Sequence, residues 1–97
     1  MAFVQIIEYT TKKPDEIKRI DEEWAAATEG RRTATRVLTC RDRSNPDRYV
    51  VIVEFPSYEV AMQNSEMPET SEAADKMQAL TDAPPTFTDL DVVDEFS

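Results

Sequence analysis

Two runs, FVQIIEYT (Phe3–Thr10) and RYVVIVEF (Arg48–Phe55), constrain what this chain can become more than any other feature. Both are rich in β-branched and aromatic residues, which favour strands. Successive side chains of a strand point to opposite faces. In the first run Phe3, Ile7 and Tyr9 share one face, and Val4 and Ile6 share the other. In the second, Tyr49, Val51, Val53 and Phe55 oppose Val50 and Ile52. An antiparallel sheet with one wet face alternates apolar and polar residues. These runs are apolar on both faces, so both faces need cover.

The intervening segments supply cover for one face. Lys12, Lys13 and Pro14 end the first strand, and Pro14 suits the first turn of a helix. Asp15 and Glu16 favour that helix's positive end. Ile17, Ile20, Trp24 and Ala27 form an apolar stripe on a helix reaching about Glu29, where Gly30 provides a C-cap. Residues 33–42 read as a second strand, joined to the third through the turn residues Ser44, Asn45, Pro46 and Asp47. Pro56 stops the third strand, and Ser57 is an N-cap for a helix to about residue 65. Met67 and Pro68 interrupt that helix, and a second piece carries Ala73, Met77 and Leu80 on one stripe. Pro84 and Pro85 end it, and residues 86–96 read as the last strand.

The order β-α-β-β-α-β predicts an α+β, ferredoxin-like fold: a four-stranded antiparallel sheet, strand order 4-1-3-2, with helices on one face. A length of 97 residues suits a single domain spanning 1–97. Its helices cover one sheet face. The expected cover for the other is the same face of a second copy about a two-fold axis, giving a homodimer. Six of the seven arginines fall within residues 31–48, on the second strand and its hairpin. Asp89, Asp91, Asp94 and Glu95 fall on the last strand. These strands are opposite edges of the predicted sheet, so a two-fold dimer can bring a basic edge near an acidic one.

Composition narrows the chemistry. The net charge of −9 argues against a nucleic-acid partner. One cysteine, Cys40, excludes an internal disulfide and cysteine-cluster zinc sites. With no histidine, Ser-His and Cys-His nucleophiles and histidine-ligated metal or haem are excluded. No metal site or cofactor is expected. No apolar run approaches the roughly 20 residues of a membrane span, and no secretion signal is visible. The expected location is the cytoplasm, with no membrane partner.

The element order, the two-piece second helix around NSEMPETSEAADKM (Asn64–Met77) and the closing PPTFTDLDV (Pro84–Val92) resemble the dimeric α+β barrel superfamily. Within it, the chain resembles the antibiotic-biosynthesis-monooxygenase-like domains over nearly its whole length. That resemblance implies a homodimer with facing sheets and a pocket between sheet and helices in each subunit. It admits cofactor-free oxygenation of an aromatic molecule. Haem degradation, the activity of another branch, needs a histidine on the second helix and an asparagine on the first strand. This chain has no histidine, and its first strand offers Gln5 and Glu8 instead.

The candidate pocket residues are Tyr9, Trp24, Tyr58, Met62, Asn64 and Met77. Each has a plainer reading. Trp24 fills a core or walls a pocket. Asn64 caps a helix break or meets a ligand. Met62, Met67 and Met77 fill gaps or line an adaptable cavity. Tyr9 and Tyr58 anchor structure or offer phenols to a ligand. Cys40 reads as an inert, half-buried thiol. Glu8 and Glu54 reach solvent at strand ends, or pair with an arginine such as Arg36 on the uncovered face. The expected function is cofactor-free monooxygenation of an aromatic small molecule. Its alternative is a non-catalytic ligand-binding, structural or stress-related dimer with an apolar pocket.

Overall fold

The computed structural model describes residues 2–96. Its elements are β1 (Phe3–Thr10), α1 (Pro14–Ala27), β2 (Arg36–Arg41), β3 (Arg48–Phe55), α2 (Tyr58–Ser65), α3 (Pro68–Gln78) and β4 (Thr86–Asp91). The strands form one antiparallel sheet in the order β2-β3-β1-β4. This is the ferredoxin-like arrangement that the sequence predicts, with the two apolar strands at the centre. Phe3 pairs with Phe55, Ile7 with Val51 and Tyr9 with Tyr49. No helix of the described residues is long and apolar enough to cross a membrane.

The core forms where the helices meet one sheet face. Phe3, Tyr9, Val51, Val53 and Phe55 are buried there with Ile17 of α1 and Ala61 of α2. The opposite face carries Val4, Ile6, Val50, Ile52 and Leu38, all half-buried, and no described element covers it. Cys40 also belongs to this face, in register with Val50. It is exposed rather than half-buried, because β2 is an edge strand with no helix over this side. Charged groups on this face pair with one another. Arg36 meets Glu54 at 3.7 Å, and Arg48 bridges Glu8 and Asp42.

Two strand boundaries differ from those predicted. β2 begins at Arg36 rather than residue 33, because Thr33 is drawn away to α2. Its N–H donates to Asn64 Oδ1 at 3.1 Å and its hydroxyl to the Val60 carbonyl at 2.6 Å. β4 ends at Asp91 rather than residue 96. Asp91 already pairs with Phe3, and the last bond runs from the Val92 N–H to the Ala2 carbonyl.

The phase of α1 also differs. Ile17 and Thr28 are buried, whereas Ala27 is exposed. Ile20 and Ala27 line a small gap against Glu69, Ala73 and Lys76 of α3. α1 therefore packs two ways, with residues 17, 21, 24 and 28 toward the sheet and 20 and 27 toward α3. The helix stops at Ala27, and Gly30, at φ +80°, sits inside the turn that follows. There the N–H groups of Arg31 and Arg32 both donate to the Thr28 carbonyl. The second helix breaks as predicted: Ser57 caps α2, and Pro68 opens α3 at its first turn.

A polar knot closes the far end of the sheet. Thr11 is 1% exposed, donates its hydroxyl to the Leu80 carbonyl at 2.7 Å and accepts the Lys13 N–H at 3.0 Å. Thr11→Val keeps the shape and removes both bonds. We expect a loss of about 2 kcal/mol, read by urea denaturation.

Candidate functional site

Between the helices and the sheet lie two chambers that share a waist. The first, about 650 Å³, is walled by α1, the 32–36 loop, β2 and the Tyr9–Tyr49 end of the sheet. The second, about 380 Å³, lies deeper toward α3 and is walled by Ile7, Val53, Phe55, Asn64, Met77 and Phe87, among others. Asp21, Trp24, Val37 and Val51 border both. We call them the α1 chamber and the α3 chamber.

Each wall is fixed by the local fold. Trp24 donates its indole N–H to Thr70 Oγ1 at 2.9 Å, which ties α1 to α3 and sets the ring across the waist. The Arg32 guanidinium lies 5.5 Å from the Trp24 ring centre, in cation–π range. It donates to the Ala25 carbonyl at 2.9 Å. Tyr9 and Tyr49, cross-strand partners, stack at 5.6 Å with an interplanar angle of 15°. Asn64 is 6% exposed, at the end of α2. Its carbonyl oxygen is taken by the Thr33 N–H, and its amide nitrogen has no partner among the described residues. Asn64 lines the α3 chamber.

Four of the six predicted pocket residues border this space: Tyr9 the α1 chamber, Trp24 both, and Asn64 and Met77 the α3 chamber. Tyr58 and Met62 border neither. Tyr58 is 50% exposed and meets Phe3 edge-on at 5.4 Å. Met62 packs against the core. Both lie toward the Phe3–Phe55 end, away from the waist.

Sequence reasoning missed Asp21. Among 20 acidic residues it reads as one more solvated charge. Its signal was its phase, four residues after Ile17 and three before Trp24, which places a carboxylate on the sheet-facing side of α1. It is solvent-accessible along the cleft, with no hydrogen-bond or ion-pair partner among the described residues. Desolvation pushes its carboxyl up to about 6. The Tyr9 phenol is pushed up to about 12, first by burial, then by the charges of Asp21 and Tyr49. Tyr9 is therefore a neutral hydrogen-bond donor at any ordinary pH.

No family model matches the chain, and no curated protein matches it. Solved structures do match. A candidate antibiotic biosynthesis monooxygenase from Caulobacter crescentus superposes with a TM-score of 0.83 at 14% identity, covering 96% of this chain and 91% of that one. SnoaB, a cofactor-independent oxygenase from Streptomyces nogalater, gives 0.82 at 16% identity over 97% and 95%, in a variant with one asparagine replaced by alanine. A Mycobacterium tuberculosis protein gives 0.80 at 14% identity over the full length of both chains. At such identities the likeness shows the fold, the ferredoxin-like α+β fold of antibiotic biosynthesis monooxygenase-like proteins.

The raised Asp21 carboxyl makes a prediction about stability. A carboxyl near 6 in the folded protein, against 3.8 as the ordinary value, binds more protons folded than unfolded. Stability therefore falls as pH rises through that window and is flat above it. Asp21→Asn removes the penalty. We expect it to stabilise the protein at neutral pH by on the order of 1 kcal/mol, after allowing for solvent screening. The gain should vanish below the ordinary carboxylate range, as read by thermal melts across pH.

Proposed function

We propose that this chain is a homodimeric antibiotic biosynthesis monooxygenase-like protein. It takes a small aromatic molecule into the sheet–helix cleft and oxygenates it with no resident cofactor. The observation that carries this reading is the cleft itself, in a fold shared with a cofactor-independent oxygenase. It has apolar walls, a tryptophan across its waist and one free amide donor. The substrate, as its own anion, reduces molecular oxygen. One oxygen atom enters the ring as a new carbonyl, the other leaves as water, and the substrate supplies all the electrons. The protein's part is a largely apolar cleft, a fixed ring orientation and a few hydrogen bonds to the developing oxyanion. Asn64 from the α3 chamber and Tyr9 from the α1 chamber are the donors this reading assigns to those bonds.

The test is oxygen uptake with 4-acetyl-1-naphthol, a naphthol carrying a conjugated carbonyl, giving the acetyl-1,2-naphthoquinone and water. Asn64→Asp keeps an acceptor for the Thr33 N–H and removes the amide donor. Uptake should fall by about tenfold or more while the thermal melt still shows a cooperative fold. One observation favours a second reading, a carrier without turnover. The Asn64 carbonyl and the Trp24 N–H are both committed to holding the fold. A carrier retains the naphthol and consumes no oxygen.

The uncovered sheet face supports assembly through that face. A single copy leaves Val4, Ile6, Leu38, Val50 and Ile52 facing water, and a second copy buries them on both sides at once. The basic edge residues Arg36, Arg41 and Arg43 and the acidic edge residues Asp89 and Asp91 then guide the register. Ile52→Lys sits mid-face and should yield a monomer by sedimentation. Raising salt should weaken the wild-type dimer by less, since exposed pairs contribute little.

A further inference from the structure

Among the described residues, Asp21 is the one ionisable side chain in the walls of the α3 chamber, and it stands at the waist beside Trp24. We propose that Asp21 is the proton acceptor for an acidic phenol or enol lying across the two chambers. This rests on the aromatic-ligand reading above and deepens it. In the step, the substrate O–H bond breaks and its electron pair stays on the substrate oxygen. The proton forms a new O–H bond to an Asp21 carboxylate oxygen. The product of this step is the electron-rich anion that oxygenation requires.

The groups around Asp21 leave it this role. On α1 itself, Asp15, Lys18 and Glu22 share the α1 chamber. Tyr9 of β1 and Tyr49 of β3 form the end wall. The Tyr9 phenol, raised to about 12, keeps its proton and cannot act as the base. Arg32, held against Trp24, brings positive charge to the same chamber, where it favours a newly formed phenolate. α3 contributes Thr70, Ser71 and Met77 to the inner wall, but no ionisable group.

The energetics also select the substrate. Asp21, at about 6, is ionised near neutrality and ready to accept a proton. An ordinary phenol, with a pKa of about 10, would pass its proton to such a carboxylate only about once in ten thousand encounters. The matching substrate is a phenol or enol acidified by a conjugated electron-withdrawing group, such as a ring carbonyl. The inferred class is therefore hydroxylated aromatics carrying a conjugated carbonyl, rather than simple phenols.

The experiment uses 4-nitrophenol, an acidic phenol, and its methyl ether 4-nitroanisole, which has no proton to give. Trp24, the sole tryptophan, borders both chambers, so quenching of its fluorescence reports occupancy without any turnover. Between pH 6 and about 7, where Asp21 is ionised and free 4-nitrophenol still carries its proton, we expect wild-type protein to bind 4-nitrophenol about tenfold or more tighter than 4-nitroanisole. That preference should collapse as pH falls through 6 and Asp21 takes up a proton. In Asp21→Asn the preference should be small and flat across the same range. Equal binding of the two probes by the wild type, or an unchanged pH limb in Asp21→Asn, overturns the assignment and leaves the aromatic pocket standing. If neither probe quenches Trp24, the pocket reading falls and this inference with it. The wild-type comparison of the two probes decides the matter without the variant.

Discussion

The central pair of strands, β1 and β3, sets the terms for everything around it. Eight residues of each pair in unbroken register from Phe3–Phe55 to Thr10–Arg48, and both faces of the pair are apolar. The helices can take only one face, and they take the one bearing the larger rings: Phe3, Phe55, Tyr9 and Tyr49. Aromatic side chains bury the most area per residue, so this face repays helical cover best. The other face keeps shorter aliphatic residues bordered by the Arg36–Glu54 and Arg48–Glu8 pairs. That mixture of aliphatic residues and paired charges is what a single copy leaves without cover.

Covering a twisted sheet with straight helices leaves space. Here the space is not filled by side chains but kept open as the two chambers. α1 leans on the sheet at Ile17 and Thr28, near its two ends. Between them the sheet-facing positions are Asp21 and Trp24, a carboxylate and a ring turned toward α3. The packing fault and the candidate chemistry are therefore the same feature. A leucine at position 21 would narrow the gap and remove the only charge that the described residues place at the waist.

The limits of the sequence follow from this. β1 and β3 were legible to the residue because alternation and β-branching are local properties. The α2–α3 break was legible because Pro68 cannot continue a helix. Thr33 and Val92 were not, since their fates depend on a distant partner, Asn64 in one case and Ala2 in the other. Trp24 and Asn64 stood out by residue type, being rare in this chain. Asp21 did not, because a helix that packs on two neighbours has two stripes. The sequence periodicity traced a blend of them through Ile20 and Ala27. Only the three-dimensional placement of α3 separates the two.

α3 has no buried residue. It stays in place through half-buried contacts, Met77 against the core and Ala73 near Ile20 and Ala27 of α1, and through the Trp24–Thr70 bond, the Arg31–Glu69 pair at 2.7 Å and the Lys76–Glu23 contact at 3.7 Å. A helix with no fully buried residue and a proline-marked break at its start costs less to displace than the central strands. That same helix is a wall of the α3 chamber. Backbone amides of α3 should therefore trade hydrogen for deuterium well before those of β1 and β3, so the chamber is bounded on one side by the rigid sheet and on the other by the part of the fold with the least buried surface.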